Sequence, residues 1–167
     1  MRLAALVIAL LAVVPVTSAM AQQLPASKKD RSDVVKYAVA LESDPLSKQA
    51  KKNRVKVLTI INRSPDLLVP PCRALLGELL LSKQLGAAEL RVQLQISAAK
   101  YLAEHPGASP DQEEALAAGL DGALTAYASM HNVNPLIQID VMDELTERRA
   151  RGEIRDVVRD ALADCEA

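Results

Sequence analysis

From Lys28 to the end of the chain, apolar residues recur at intervals of three and four, and no segment alternates apolar with polar positions as a half-buried strand does. That spacing restricts the chain to helices packed on helices. The material for their core is narrow: among 167 residues there is no Phe, no Trp and only 3 Tyr, which leaves Leu, Ala, Val and Ile to fill it. Small side chains let helix axes approach closely. The expected fold is therefore all-α: a single-domain bundle or short helical array of about six to seven helices.

The first residues follow a different rule. Met1-Arg2 precedes an uncharged stretch from Leu3 to Ser27, apolar between Leu3 and Val16 and ending in Thr17-Ser18-Ala19-Met20-Ala21. This is the order of a cleavable signal peptide, residues 1 to 21, with cleavage after Ala21. A spanning helix wants about 20 predominantly apolar residues, and Pro15, Thr17, Ser18, Gln22 and Gln23 interrupt this run. The residue directly after the cleavage site is Gln22, not a cysteine that could carry a lipid. The mature chain is expected in the periplasm or the extracellular medium, without a stable membrane anchor. Residues 22 to 29 show no periodicity and read as a flexible leader, followed by one helical domain over residues 30 to 167.

Several helix starts are announced by a capping residue followed by proline, whose missing N–H costs nothing in the first turn. Asp44-Pro45, Ser64-Pro65, Ser109-Pro110 and Asn134-Pro135 are of this kind, and Gln112 completes a capping box with Ser109. The spacing predicts a helix over 32 to 42 and an amphipathic one from Pro45 to Arg63, with Lys48, Lys52, Lys56 and Arg63 outside. One helical turn is expected within Pro65 to Pro71. The stretch from Cys72 to Ser82, apolar almost all round, is expected to be the central and most buried helix. Further helices are predicted over 87 to 104, 110 to 131, Pro135 to Arg151, and from Ile154 through Cys165. An offset of 26 residues aligns Leu90 with Leu116, Leu94 with Leu120, Tyr101 with Tyr127 and His105 with His131, which reads as an antiparallel hairpin of two similar helices. The roughly 34-residue period of a tetratricopeptide array is absent.

Cys72 and Cys165 are the only cysteines. In an oxidising compartment they are expected to pair, fastening the C-terminus to the middle of the chain. The alternative, a reactive thiol, lacks both a C-x-x-C motif and a neighbouring His. His105 and His131 each fall at the C-terminal end of a predicted helix, where imidazole suits the exposed carbonyls. Antiparallel packing would put them at opposite ends of the hairpin, too far apart to share a metal. Asp140, Asp143, Glu144 and Glu147 fit a solvated helix face better than a cation site. Zinc-ligand spacings, phosphate-binding Gly-rich loops and the G-x-S-x-G elbow do not occur, so no catalytic, metal or cofactor residue is assigned.

Charge is distributed unevenly. From Lys28 to Arg73 there are 11 basic and 5 acidic residues, a net of +6, and from Ala74 onward 8 basic and 16 acidic, a net of −8. Either the basic second helix packs beside the acidic ones and the halves neutralise each other, or the surface is bipolar and steers partners. In the second case Lys48, Lys51, Lys52 and Lys56 form the interaction face. Nucleic acid is excluded as the partner by the export signal and by the lack of stacking aromatics on that helix.

Leu41-Glu42-Ser43-Asp44-Pro45-Leu46, the Pro71-Cys72 helix, Ala123-Leu124-Thr125-Ala126-Tyr127 and the Glu147-Arg148-Arg149 to Gly152-Glu153 segment together resemble a group of small secreted bacterial all-helical proteins of unknown function. The resemblance implies architecture and carries over no functional residue. The expected function is that of a secreted, non-catalytic protein-interaction or adaptor module whose partner is another envelope or secreted protein. A carrier or sensor holding a small ligand between helices is the alternative, and a divergent enzyme is the third reading.

Overall fold

The computed structural model describes residues 24–107 and 111–165. The signal peptide over residues 1 to 21 and the Ser109-Pro110 start lie outside those residues. The described residues form seven α-helices: α1 (Lys28–Ser43), α2 (Ala50–Arg63), α3 (Arg73–Leu76), α4 (Ala87–Glu104), α5 (Gln112–Val133), α6 (Asp140–Ala150) and α7 (Ile154–Cys165). Two 3-10 turns, Pro65–Leu67 and Gly77–Leu80, join them, and the described residues contain no strand. The all-α expectation holds.

The centre of the fold is the antiparallel pair α4 and α5, the longest of the helices and the two that share the largest interface. Their contact is made by small residues. A Cβ on Gly119 would stand 2.7 Å from the Leu94 carbonyl oxygen, and one on Gly122 only 2.2 Å from Ser97 Oγ and 2.6 Å from Glu42 Oε1. Ala98, Ala115, Ala123 and Ala126 are buried along the same pair. Helix α1 lies across both α4 and α5, α2 rests mainly on α1, and α7 packs on α5 and α3. One continuous core runs from Val34 on α1 to Val158 on α7.

A charged group enters this core where the glycines leave room. Glu42, in the last turn of α1, is buried; its Oε1 accepts from Ser97 Oγ (2.7 Å) and Lys100 Nζ (2.8 Å), and its Oε2 accepts from Lys100 Nζ (2.8 Å). Gln93 Nε2 donates to Ser97 Oγ at 3.0 Å, and Ser129 Oγ donates to the Glu42 carbonyl at 2.9 Å. A carboxylate at a helix C-terminus is disfavoured by the macrodipole, and the Lys100 ammonium offsets that cost directly.

Several sequence expectations need correction, each for a local reason. The leader is shorter than residues 22 to 29, because Ser27 caps α1 through a box with Asp30: the Asp30 N–H donates to Ser27 Oγ at 3.1 Å, so Lys28 and Lys29 are already helical. The Ala26 N–H donates to Asp66 Oδ1 at 2.8 Å, tying the chain before the helix to the Pro65–Leu67 turn. Helix α2 starts at Ala50 and not at Pro45, since the Pro45 carbonyl accepts from Arg54 Nη2 (2.7 Å) and residues 44 to 49 form successive turns. Helix α5 takes Asp111 as its cap, whose Oδ1 accepts from the Glu113 and Glu114 N–H groups.

The stretch from Cys72 to Ser82 is not the central helix. Gly77, at φ +44°, ends α3 after one turn, and Leu81 is 82% exposed. Likewise Pro135 opens no helix: Asn134 folds residues 134 to 137 into a turn, and Ile137 and Ile139 are buried along an extended segment before α6 begins at Asp140. Residues of α5 hold that segment. The Tyr127 hydroxyl accepts from the Ile139 N–H at 3.1 Å and donates to Asp143 Oδ1 at 2.6 Å, while His131 Nδ1 lies 3.0 Å from the Ile137 carbonyl oxygen.

Cys72 and Cys165 form the expected disulfide, with Cα atoms 5.7 Å apart and a separation of 93 positions in sequence. It joins the start of α3 to the end of α7. Closing a loop of this size removes about 4 to 5 kcal/mol of denatured-state entropy in the simple chain model.

Two predictions concern stability. An exposed helical Gly→Ala substitution gains up to about 1 kcal/mol, whereas Gly122→Ala meets Ser97 and Glu42 and should lose about 2 kcal/mol or more in denaturant titration; a gain would show that the two helices have slack. The Cys72→Ser, Cys165→Ser double variant should remain helical by circular dichroism yet unfold with a loss of about 3 to 5 kcal/mol. Both thiols being open to alkylation in the oxidised protein would contradict the bridge.

Candidate functional site

The four lysines expected to share one face are separated by the fold. Lys48 lies in the turns before α2, exposed. Lys51 points along the side of α2 that faces α4, Lys52 is exposed on the helix, and Lys56 sits at the α1–α2 seam. There its Nζ donates to the Tyr37 hydroxyl at 2.9 Å and stands 4.7 Å from the ring centroid. None of the four forms an ion pair among the described residues.

The expectation that the basic helix neutralises the acidic ones is not met. Acidic residues of α5 are matched instead by arginines of α6 and α7: Asp121 by Arg149 (2.7 Å), Glu114 by Arg155 (2.9 Å) and Glu113 by Arg159 (3.0 Å). Of the acidic set on α6, Asp140, Asp143, Glu144 and Glu147 are exposed, and Asp143 receives the Tyr127 hydroxyl. No group of three or more metal-ligating side chains occurs among the described residues. The histidines lie at the two helix ends as expected, His105 Nδ1 within 2.8 Å of the Tyr101 carbonyl oxygen and His131 against Ile137.

Because α2 leans on α1, it stands away from α4 and leaves a groove of about 480 Å³ between them. Val55 and Leu58 of α2 and Ala88 and Val92 of α4 form its apolar surface, with Val55 59% exposed. Lys51 and Arg54 line one side and Glu89 the other. Arg54 is only partly bonded: its Nη2 reaches Pro45, but its Nε is buried with no hydrogen-bond partner. Burial pushes the Arg54 guanidinium below its ordinary pKa, and the Glu89 carboxylate opposes that shift. The Lys51 and Arg54 side chains thus place positive charge beside an apolar floor.

Lys51 was foreseen as part of a site, but Arg54, Val55, Leu58, Glu89 and Val92 were not. Nothing local marks them. The groove combines residues some 35 positions apart in sequence, from Lys51 and Arg54 to Ala88 and Glu89, brought together only by the packing of α2 beside α4.

The buried polar set around Glu42 was also missed. Its one sequence signal was Gln93 and Ser97, four apart among the apolar residues of the buried face of α4. Its bonds hold α1 to α4, which is a packing role.

The two hydroxyl contacts give a titration test. The Lys56 ammonium holds the Tyr37 hydroxyl below the ordinary phenol range. Burial, followed by the hydrogen bond to Asp143, pushes Tyr127 up to about 12. Since the folded Tyr127 value exceeds the unfolded one of about 10, its contribution to stability is complete below that pH and disappears as pH rises through about 12. Tyrosinate absorbance should show Tyr37 ionising before Tyr127; Lys56→Met should move the first step up, and Tyr127→Phe should delete the last. A single shared step would exclude both contacts in solution. No family model, no curated protein and no solved structure matches this chain.

Proposed function

We propose that this chain is an exported, non-catalytic interaction module, and that its α2–α4 groove receives an acidic amphipathic helix from another envelope or secreted protein. The observation that carries the reading is the groove itself, where an apolar floor meets the cationic side chains of Lys51 and Arg54. Lys48 and Lys52, exposed and without ion pairs among the described residues, extend the positive field beyond it. Such a field steers an anionic partner to the groove, and burial of apolar side chains then holds it.

Export is supported by two features of the chain. The uncharged run from Leu3 to Ser27 with its small-residue end has the layout of a signal peptide. The Cys72–Cys165 bridge suits an oxidising compartment. The resemblance to small secreted bacterial helical proteins points the same way.

The test places a photo-crosslinking residue at Val55 in the oxidised protein and exposes it to the envelope extract of the host at low and moderate salt. The expected product is one protein, joined through a segment that carries Asp or Glu beside small apolar residues, and lost as salt rises. Lys51→Glu with Lys52→Glu should weaken capture about tenfold or more, and Lys28→Glu, exposed in the first turn of α1 and outside the groove lining, should leave it unchanged. Capture indifferent to the Lys51 and Lys52 charges, or joined through a basic or uncharged segment, would reject the reading.

A further inference from the structure

Helix α4 borders a second concavity on its other flank. The chain between the Pro65–Leu67 turn and α3 passes over α4 as a strap, and a cavity of about 170 Å³ lies beneath it. Val69 of the strap, Leu75 of α3, Leu94 of α4 and Leu116 of α5 supply buried apolar walls. The strap runs into Cys72, which the disulfide fastens to α7, so one wall is held covalently. An apolar cavity of roughly this size, about 150 Å³, stays dry and accepts a molecule as large as benzene.

The lining is not uniformly apolar, because Arg91 and Gln95 also border it. The guanidinium of Arg91 is held in place by its own Nη1, which donates to the carbonyl oxygens of Leu79 (2.8 Å), Ser82 (3.2 Å) and Leu80 (3.4 Å). Those acceptors are dipoles and do not cancel its charge. Arg91 forms no ion pair among the described residues. A fixed cation at the edge of a small apolar cavity is preorganised for one class of molecule, an anion with a compact apolar body.

We infer that this pocket is a binding site for a small apolar carboxylate, a six-carbon chain or a single ring, with its apolar part between Leu75, Leu94 and Leu116 and its carboxylate on Arg91. The site is separate from the α2–α4 groove: Ala88, Glu89 and Val92 face the groove, whereas Arg91, Leu94 and Gln95 face the pocket. Neither depends on the other.

The test titrates the oxidised full chain with hexanoate and benzoate, and with hexanol and benzyl alcohol as uncharged counterparts, following methyl resonances and heat. Saturable binding of a carboxylate that shifts the Leu75, Leu94 and Leu116 methyls is expected, with the matching alcohol about tenfold or more weaker. Leu76→Trp supplies a second measurement. Leu76 is half-buried and lines the pocket, so an indole there has room to turn outward without unfolding the chain, and it is the only Trp present. Hexanoate should bind this variant at least about tenfold more weakly, or change its fluorescence. Failure of both acids to saturate the unsubstituted protein at millimolar concentration overturns the proposal. So do equal affinity for acid and alcohol, and methyl shifts confined to Val55 and Val92.

Discussion

The close approach of α4 and α5 is the constraint on which the other helices depend. Gly119 and Gly122 remove side chains where the Leu94 carbonyl and the Ser97 hydroxyl would otherwise be struck. The space next to Gly122 takes the Glu42 carboxylate, and that lets α1 settle across both helices. A core without Phe or Trp is possible for the same reason: helices this close need no large side chains to fill the gap between them. The cost is polar. A buried ion pair repays its desolvation only when its hydrogen bonds are complete, and here Gln93 Oε1 remains buried without a partner while Glu42 is fully engaged by Ser97 and Lys100.

From that centre α4 presents two different flanks to the rest of the molecule. Residues 88, 89 and 92 face outward beside α2, and residues 91, 94 and 95 lie under the strap, a division set by the turn of the helix. The first flank is open because α2 rests on α1; the second is partly covered by the strap, whose end the disulfide fixes. Both concavities pair an apolar surface with a basic side chain, yet they differ in scale. The open groove suits a helix and the partly covered one a small molecule.

Charge follows the same division. Arginines of α6 and α7 answer the acids of α5 locally, and the lysines at and before α2 are left without carboxylates among the described residues. The excess of acid over base in the second half of the chain is therefore a poor guide to where its field lies. Proximity in sequence predicted which charges were present, and packing chose their partners. The 26-residue echo behaves similarly: Tyr127 and His131 hold the extended segment at Ile137 and Ile139, while Tyr101 and His105 only stack and cap at the end of α4.

Features set by the chain's local chemistry were legible in its residues. Apolar periodicity placed α4 and α7 closely, and two thiols in a chain with an export-type leader had one natural bond to make. Some errors were local, as at the Ser27 cap and at Gly77, and others fell where a group elsewhere in the chain took over a backbone atom that the local pattern had reserved for a helix: Arg54 at the Pro45 carbonyl, Arg91 at the carbonyls of Leu79, Leu80 and Ser82, and Tyr127 at the Ile139 N–H. The groove and the pocket were illegible for a related reason, since each depends on the packing of elements far apart in the chain. Sequence alone determined that this protein is helical, what its core is made of and how its cysteines pair, because spacing and composition act locally or leave a single choice. Tertiary structure decided which helix is central, which lysines stay unpaired and where cavities open, because those follow from the summed packing of all the helices.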